Sequence, residues 1–146
     1  MRKDTFANEM YAKLGKSEPV RLLMEAQNRA IEAGHDFACT KSETAVDDLE
    51  EEVAELREAL EAEQKDENHI RNELGDCFFS LINLCRIHGQ DVDDVIGKVT
   101  ERWLSRKKLM EDKVIAAGFT WRNLPDDVSL KIWQEVKQEL KQKEYQ

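Results

Sequence analysis

The chain has 146 residues and a formal net charge of −9, from 31 acidic and 22 basic side chains. This length corresponds to about one domain and is sufficient to bury a hydrophobic core without disulfides or metals as staples. The acidic balance argues against direct binding to a nucleic-acid backbone, which requires a basic face. A small polyanion is compatible with this charge if divalent cations bridge it to acidic groups.

Composition predicts an all-α fold, because only two prolines and six glycines occur and strand-favouring residues never alternate. We expect an antiparallel bundle of four to five helices. Residues 1–18 are predicted to form an N-terminal arm with about one turn of helix, residues 19–141 the helical domain, and residues 142–146 a solvated tail. The helices of the domain are predicted at about 19–33, from Lys41 to the polar turn near Gln64, 67–88, 91–112 and 128–141.

The cysteines predict a reducing compartment. Cys39, Cys77 and Cys85 form no CxxC pair, and eight helical residues separate the last two by about 12 Å, too far for a disulfide. An odd, unpaired set is typical of proteins kept in reducing surroundings.

The first residues also lack the apolar region of a signal peptide, and no apolar run is long enough to span a bilayer. We therefore expect a soluble, cytoplasmic protein.

Two of the predicted helices each carry a pair of carboxylates three residues apart, a spacing that makes the two side chains neighbours. Glu52 and Glu55 lie on one helix, and Glu73 and Asp76 on the next. The pairs are symmetric about Gln64, so an antiparallel hairpin brings Glu52 level with Asp76 and Glu55 level with Glu73. With helix axes about 8–10 Å apart, four carboxylates can converge on one small volume.

The second pair lies in an apolar setting. At about 100° per residue, one helix face is polar and carries Glu73, Asp76, Ser80 and Asn83. The adjoining face is apolar and carries Ile70, Leu74, Cys77, Phe78 and Leu81, so we expect this helix to be buried on most sides. Like charges in a partly dry site are costly unless they are neutralised. An all-oxygen set without suitably spaced histidine favours Mg²⁺ or Mn²⁺ over zinc.

The competing interpretation is a solvated acidic surface. An ExxE spacing arises by chance in acidic helices, and a mostly solvated position is expected for Glu51, Glu58, Glu61 and Glu63. The symmetric pairing and the apolar setting of Glu73 and Asp76 favour the metal site.

Several motifs resemble the MazG-type nucleoside triphosphate pyrophosphohydrolases of the all-α NTP pyrophosphatase superfamily. They occur in family order from about residue 30 to 140: Gly34-His35-Asp36-Phe37, EEVAEL at 51–56, ELGDCFFSLINLCR at 73–86, TERWLSRK at 100–107 and IWQEVK at 132–137. The resemblance implies hydrolysis of a nucleoside triphosphate between its α and β phosphates, dependent on Mg²⁺ or alternatively Mn²⁺. It also implies a homodimer or higher homo-oligomer. This agrees with the expectation that one chain cannot bury all of four apolar residues: Phe79, Ile82, Ile87 and Val95.

The resemblance also implies roles for individual residues. The metal ligands would be Glu52, Glu55, Glu73 and Asp76. Phosphate contacts would come from Arg102 and Arg106, and further substrate contacts from Trp133 and Lys137. Either Glu51 or Glu52 would accept the proton of the attacking water. The alternatives are surface charge for the two arginines, a core anchor for Trp133 and a solvated tail residue for Lys137.

Three positions depart from the family pattern. Asp48 and His69 stand where family members often carry a basic residue, and Thr100 stands where the pattern has asparagine. The loss of two cations keeps two other functions open. One is a narrower relative acting on dUTP, dCTP or phosphoribosyl-ATP, and the other is a non-catalytic binding module of the same fold. The preferred base cannot be predicted, since it depends on loops.

Overall fold

A computed structural model of the chain describes residues 6–34 and 41–144. These two ranges contain six helices and no strand, which confirms the predicted all-α fold. The helices are α1 (Phe6–Lys13), α2 (Pro19–Glu32), α3 (Ser42–Glu61), α4 (Glu67–Ile87), α5 (Val92–Ala116) and α6 (Asp126–Glu144). Residues 35–37 of the family-like segment, and Cys39, lie outside the described ranges. None of the six helices is long and apolar enough to cross a membrane.

The chain divides into two compact units, residues 1–92 and 93–146. In the N-terminal unit, α3 packs against α4 as a helical hairpin, and α2 packs against both α1 and α4. In the C-terminal unit, α5 and α6 share a small hydrophobic core that consists of Met110, Val114, Ile132 and Val136. The carboxylate motifs therefore belong to the first unit, and the basic and tryptophan motifs to the second.

Local sequence signals set the ends of the helices that frame the hairpin. Pro19 occupies the first turn of α2, where its missing N–H costs no hydrogen bond. Gly89 ends α4 with a φ of 61°, a left-handed conformation that glycine adopts without steric cost. Asp66 caps the start of α4 by accepting hydrogen bonds from the backbone N–H groups of Asn68 and His69, at 2.9 and 3.4 Å. This cap fixes the turn from which His69 and Glu73 project.

The N-terminal residues are more ordered than the sequence suggested. Residues 6–13 form an eight-residue helix, α1, rather than a single turn. Two ion pairs tie it to α2: Lys13 Nζ lies 2.6 Å from a carboxylate oxygen of Glu25, and Arg29 Nη2 lies 2.9 Å from one of Glu9. The predicted boundaries at residues 18 and 141 stay predictions, although α6 continues to Glu144.

Helix α4 buries most of its polar face and exposes part of its apolar face. Three polar-face residues are buried: Glu73, Ser80 and Asn83. Three apolar-face residues are 45–61% exposed: Leu74, Phe78 and Leu81. The prediction that α4 is buried on most sides was therefore wrong for these three. The helical period shows which residues share a face, but not which face meets the neighbouring helices.

The exposed apolar residues of α4 adjoin a matching stripe on α3. Together they form what we call the hairpin apolar face, which comprises Val46, Val53, Leu60, Leu74, Phe78 and Leu81. At about 100° per residue, both stripes fall on the same side of the antiparallel pair, and the carboxylates fall toward the other side. Of the four apolar residues that one chain is not expected to bury together, Ile82 is only 5% exposed and Val95 is 37% exposed.

Candidate metal centre

Glu52, Glu55 and Glu73 come together where α3 and α4 run side by side. Each contributes one carboxylate oxygen to a group whose members all lie within 4.8 Å of one another. Glu73 is buried, Glu52 is half-buried and Glu55 is exposed, so the group extends from the hairpin interior to solvent. The predicted convergence is thus found for three of the four carboxylates, in an arrangement that could hold a metal ion.

Asp76 is exposed and lies outside that group of three. Its charge nevertheless acts on the same site. Burial raises the pKa of Glu52, and the next contribution comes from the Asp76 carboxylate, followed by Glu55, Glu73 and Glu51. The four predicted carboxylates therefore form one electrostatic cluster, with Asp76 on its edge. Glu51, the other candidate proton acceptor, is exposed.

Glu73 carries the strongest indication of a missing positive partner. Its Oε1 lies 3.2 Å from Nδ1 of His69. Its Oε2 is buried and has no hydrogen-bond partner among the residues that the structure describes. A buried carboxylate oxygen without a partner is costly, because it has lost its water without replacement. A hard divalent cation would supply that replacement, so these residues fit such an ion.

The thiol of Cys77 helps to define the donor set. Burial raises the pKa of Cys77, and the carboxylates of Glu52, Glu73 and Asp76 raise it further. Cys77 is not among the residues whose ligand atoms come together, and those residues are three glutamates. The group therefore offers oxygen donors, which suit Mg²⁺ or Mn²⁺ better than zinc. A cavity of about 410 Å³ opens beside it, and its lining includes Glu55, Glu58, His69 and Glu73.

The C-terminal unit brings together three of the four predicted substrate contacts. The guanidinium carbon of Arg106 lies 5.9 Å from the centroid of the Trp133 ring, and Nζ of Lys137 lies 5.6 Å from it. Nε of Arg106 is buried and has no hydrogen-bond partner within the described ranges. Arg102 is exposed, one helical turn earlier on α5. Two cations therefore flank one half-buried indole, an arrangement suited to a planar, anionic ligand.

Sequence reasoning missed a second cation–aromatic group in this unit. Nζ of Lys107 lies 5.7 Å from the ring centroid of Trp103 and 5.2 Å from that of Trp121. Trp103, Arg106 and Lys107 line a cavity of about 440 Å³ whose other wall includes Trp133. The i, i+4 spacing of Trp103 and Lys107 was a usable signal. The same spacing in α4 signals the contact between His69 and Glu73.

An all-α chain with a carboxylate cluster on a helical hairpin, and a cation–indole group in its C-terminal unit, has the features of an all-α nucleotide pyrophosphatase. Residues 40–110 match the family model described as the MazG nucleotide pyrophosphohydrolase domain. The predicted resemblance to the MazG family is therefore confirmed over residues 40–110.

Individual relatives agree with this placement. The chain is 31% identical over 111 residues to the nucleoside triphosphate pyrophosphohydrolase/pyrophosphatase MazG of Thermotoga maritima, an alignment that covers 76% of this chain and 41% of the relative. It is 26% identical over 113 residues to a nucleoside triphosphate pyrophosphohydrolase of Escherichia coli K12, covering 77% and 42%. The chain thus spans about two fifths of the length of these curated relatives.

Proposed function

We propose that this protein hydrolyses nucleoside triphosphates between the α and β phosphates, releasing a nucleoside monophosphate and pyrophosphate in a Mg²⁺-dependent reaction. The observation that carries the proposal is the buried Glu73, whose Oε2 lacks a partner among the described residues while Glu52 and Glu55 lie beside it. Three acidic groups would not be held together in a partly dry site without a compensating role. The match of residues 40–110 to the MazG nucleotide pyrophosphohydrolase domain supports this chemistry.

Four residues would hold the ion: Glu52, Glu55, Glu73 and Asp76. When bound, Mg²⁺ would neutralise phosphate charge and make a bound water more acidic, with Mn²⁺ as an alternative. Glu73 supplies a fixed, buried oxygen, and the exposed Glu55 and Asp76 can adjust to the substrate. This division suits phosphoryl transfer, which depends on positioning and charge neutralisation rather than on a covalent nucleophile.

Glu52 is our preferred proton acceptor for the attacking water, ahead of Glu51. Glu52 is half-buried within the carboxylate group, whereas Glu51 is exposed. Burial and neighbouring charges raise the pKa of Glu52. This shift belongs to the metal-free cluster, so the preference for Glu52 rests on its half-buried position in the carboxylate group.

The substrate contacts are proposed for the C-terminal unit. Arg102 and Arg106 would bind phosphate oxygens, for which a planar guanidinium fork is well shaped. Trp133 would pack against the base or ribose, and Lys137 would add a positive charge at the same indole. The buried, unpartnered Nε of Arg106 supports a role beyond surface charge. An acidic chain could thus still bind a polyanion.

The direct test is release of pyrophosphate from a panel of the standard ribo- and deoxyribonucleoside triphosphates, with and without Mg²⁺. We expect metal-dependent release by the wild type and its loss in Glu73→Ala. Glu50→Gln is the matched control, because Glu50 is an exposed carboxylate of the same hairpin outside the cluster. Absence of release from every nucleotide, with the protein folded, would favour a narrower substrate or a binding module.

Binding at the C-terminal unit can be followed separately, because all three tryptophans lie there: Trp103, Trp121 and Trp133. A nucleotide that packs on Trp133 should change the intrinsic fluorescence of the wild type. We expect Trp133→Leu to weaken nucleotide binding by about 5- to 150-fold, since base–aromatic stacking contributes about 1–3 kcal/mol. The control Trp121→Leu should bind normally. If Trp133→Leu binds nucleotide as tightly as the wild type does, Trp133 is a core anchor and not a substrate contact.

A homodimer formed through the hairpin apolar face is part of the proposal. Exposed apolar side chains that form one continuous surface are typical of interaction sites. A second copy would present the same surface, which a two-fold axis makes self-complementary. The free thiols of Cys77 and Cys85 agree with the reducing cytoplasm as the proposed location.

A further inference from the structure

His69 projects from the first turn of α4 and contacts Glu73 one turn later. Nδ1 of His69 lies 3.2 Å from Oε1 of Glu73, and the two side chains are 55% and 10% exposed. The Asp66 cap accepts a hydrogen bond from the backbone N–H of His69 and so holds this turn in place. A partly solvated imidazole on a fixed backbone thus contacts the most buried member of the carboxylate cluster.

The two oxygens of Glu73 have different surroundings. Oε1 lies within ion-pair distance of Nδ1 of His69, while Oε2 is buried without a hydrogen-bond partner in the described ranges. The terminal torsion of a glutamate is broad, so an unheld carboxylate would rotate between orientations. A hydrogen bond from an N–H at Nδ1 would hold it in one orientation, and both the neutral Nδ1–H tautomer and the imidazolium supply this donor. The role therefore needs no change in protonation.

We propose that His69 is a positioning residue, whose Nδ1–H donates to Oε1 of Glu73 and directs Oε2 toward the cation. This inference rests on the proposed function, because it requires Glu73 to be a metal ligand. Hydrogen bonds to the ligating groups orient them and raise metal affinity, and their loss usually costs about 10–100-fold. His69 also lines the cavity beside Glu55 and Glu73, so its ring narrows the approach to the cluster.

Three substitutions at His69 test which ring nitrogen is the donor, Nδ1 or Nε2. His69→Ala removes the donor. His69→Asn restores an N–H on the atom that corresponds to Nδ1, because both nitrogens are bonded to Cγ. His69→Gln moves its amide one bond further, toward the position of Nε2. The control is His88→Asn, which changes a histidine at the other end of α4 whose ring contacts Ser42.

The readout is the dissociation constant for Mn²⁺ in the absence of nucleotide, measured from the electron paramagnetic resonance of the free ion. Alanine and glutamine should weaken Mn²⁺ binding by about 10–100-fold, whereas asparagine and the His88 control should stay within about threefold of the wild type. Thermal unfolding of each variant verifies that it is folded. All three His69 substitutions lie on a half-exposed side chain, so the fold should persist.

Several results would overturn the assignment. The assignment fails if His69→Ala binds Mn²⁺ as tightly as the wild type does. If that variant then has a raised KM for nucleotide, His69 contacts the substrate instead. Rescue by glutamine but not by asparagine would move the role to Nε2. Glu73→Gln separates the two levels of inference: if it weakens Mn²⁺ binding while His69→Ala does not, only the positioning role fails. If neither variant weakens binding, the proposed metal centre fails as well.

Discussion

Glu52→Gln is expected to lower kcat by about 10²–10⁴-fold, the usual contribution of a general base, and to stabilise the metal-free protein. Both effects follow from the same environment. Glu52 is half-buried, and its pKa is raised first by burial and then by Asp76, Glu55 and Glu73. The charged form that the reaction needs is the form that destabilises the metal-free fold. Glutamine keeps the size of the side chain and removes the charge.

The stability effect has a definite pH dependence. A carboxyl whose pKa is higher in the folded than in the unfolded state takes up a proton more readily when folded, so stability falls as pH rises between the two values. The loss of folding stability caused by the charged Glu52 is complete above its raised pKa and absent below the ordinary pKa of 4.5. Glu52→Gln lacks this contribution at every pH. The free energy of unfolding of Glu52→Gln should therefore exceed that of the wild type most near neutral pH, and the difference should vanish in acid.

Denaturant unfolding at several pH values, with and without Mg²⁺, tests this prediction. Mg²⁺ should stabilise the wild type more than Glu52→Gln, because an ion that binds only the folded state raises its stability by an amount that grows with the logarithm of its affinity. The matched control is Glu50→Gln, an exposed carboxylate of the same helix, which should change neither activity nor the response to Mg²⁺. A less stable Glu52→Gln at neutral pH would contradict the electrostatic account of the cluster.

The level of each carboxylate along the hairpin could be predicted from the sequence because it depends only on spacing. An i, i+3 pair on each helix and a turn at a symmetric position place Glu52, Glu55 and Glu73 at matching levels of an antiparallel hairpin. The position of Asp76 at the edge could not be predicted, because it depends on how far α4 is rotated about its own axis. Rotation is set by packing against α2 and α3 rather than by periodicity.

The same rotation explains why the environment of α4 was predicted poorly. Binary patterning assumes that the apolar face turns inward, but in the N-terminal unit the buried side of α4 carries Ser80 and Asn83. Asn83 has a local partner that the pattern does not show. Nε and Nη2 of Arg86 both donate to Oδ1 of Asn83, at 3.1 and 2.7 Å. On α2, the buried Gln27 donates through Nε2 to the backbone carbonyl of Phe79 at 3.2 Å.

Phe78→Glu is expected to dissociate the proposed dimer. Phe78 is 61% exposed at the centre of the α4 stripe, between Leu74 and Leu81. In a two-fold interface each substitution occurs twice. If each copy of this aromatic contributes about 2 kcal/mol, as central interface residues do, the dissociation constant should rise on the order of 1,000-fold. Sedimentation velocity over a range of protein concentrations measures this dissociation constant.

The control separates an interface from a general effect of added charge. Ile115→Glu makes the same kind of substitution at a 68% exposed residue of the C-terminal unit, which is not part of the hairpin apolar face. It should leave the dissociation constant unchanged. A wild type that is monomeric at every concentration would contradict the proposed dimer, as would a Phe78→Glu variant that still dimerises. Because Phe78 is mostly exposed within one chain, the substitution should not unfold the protomer, and its effect on assembly can be read directly.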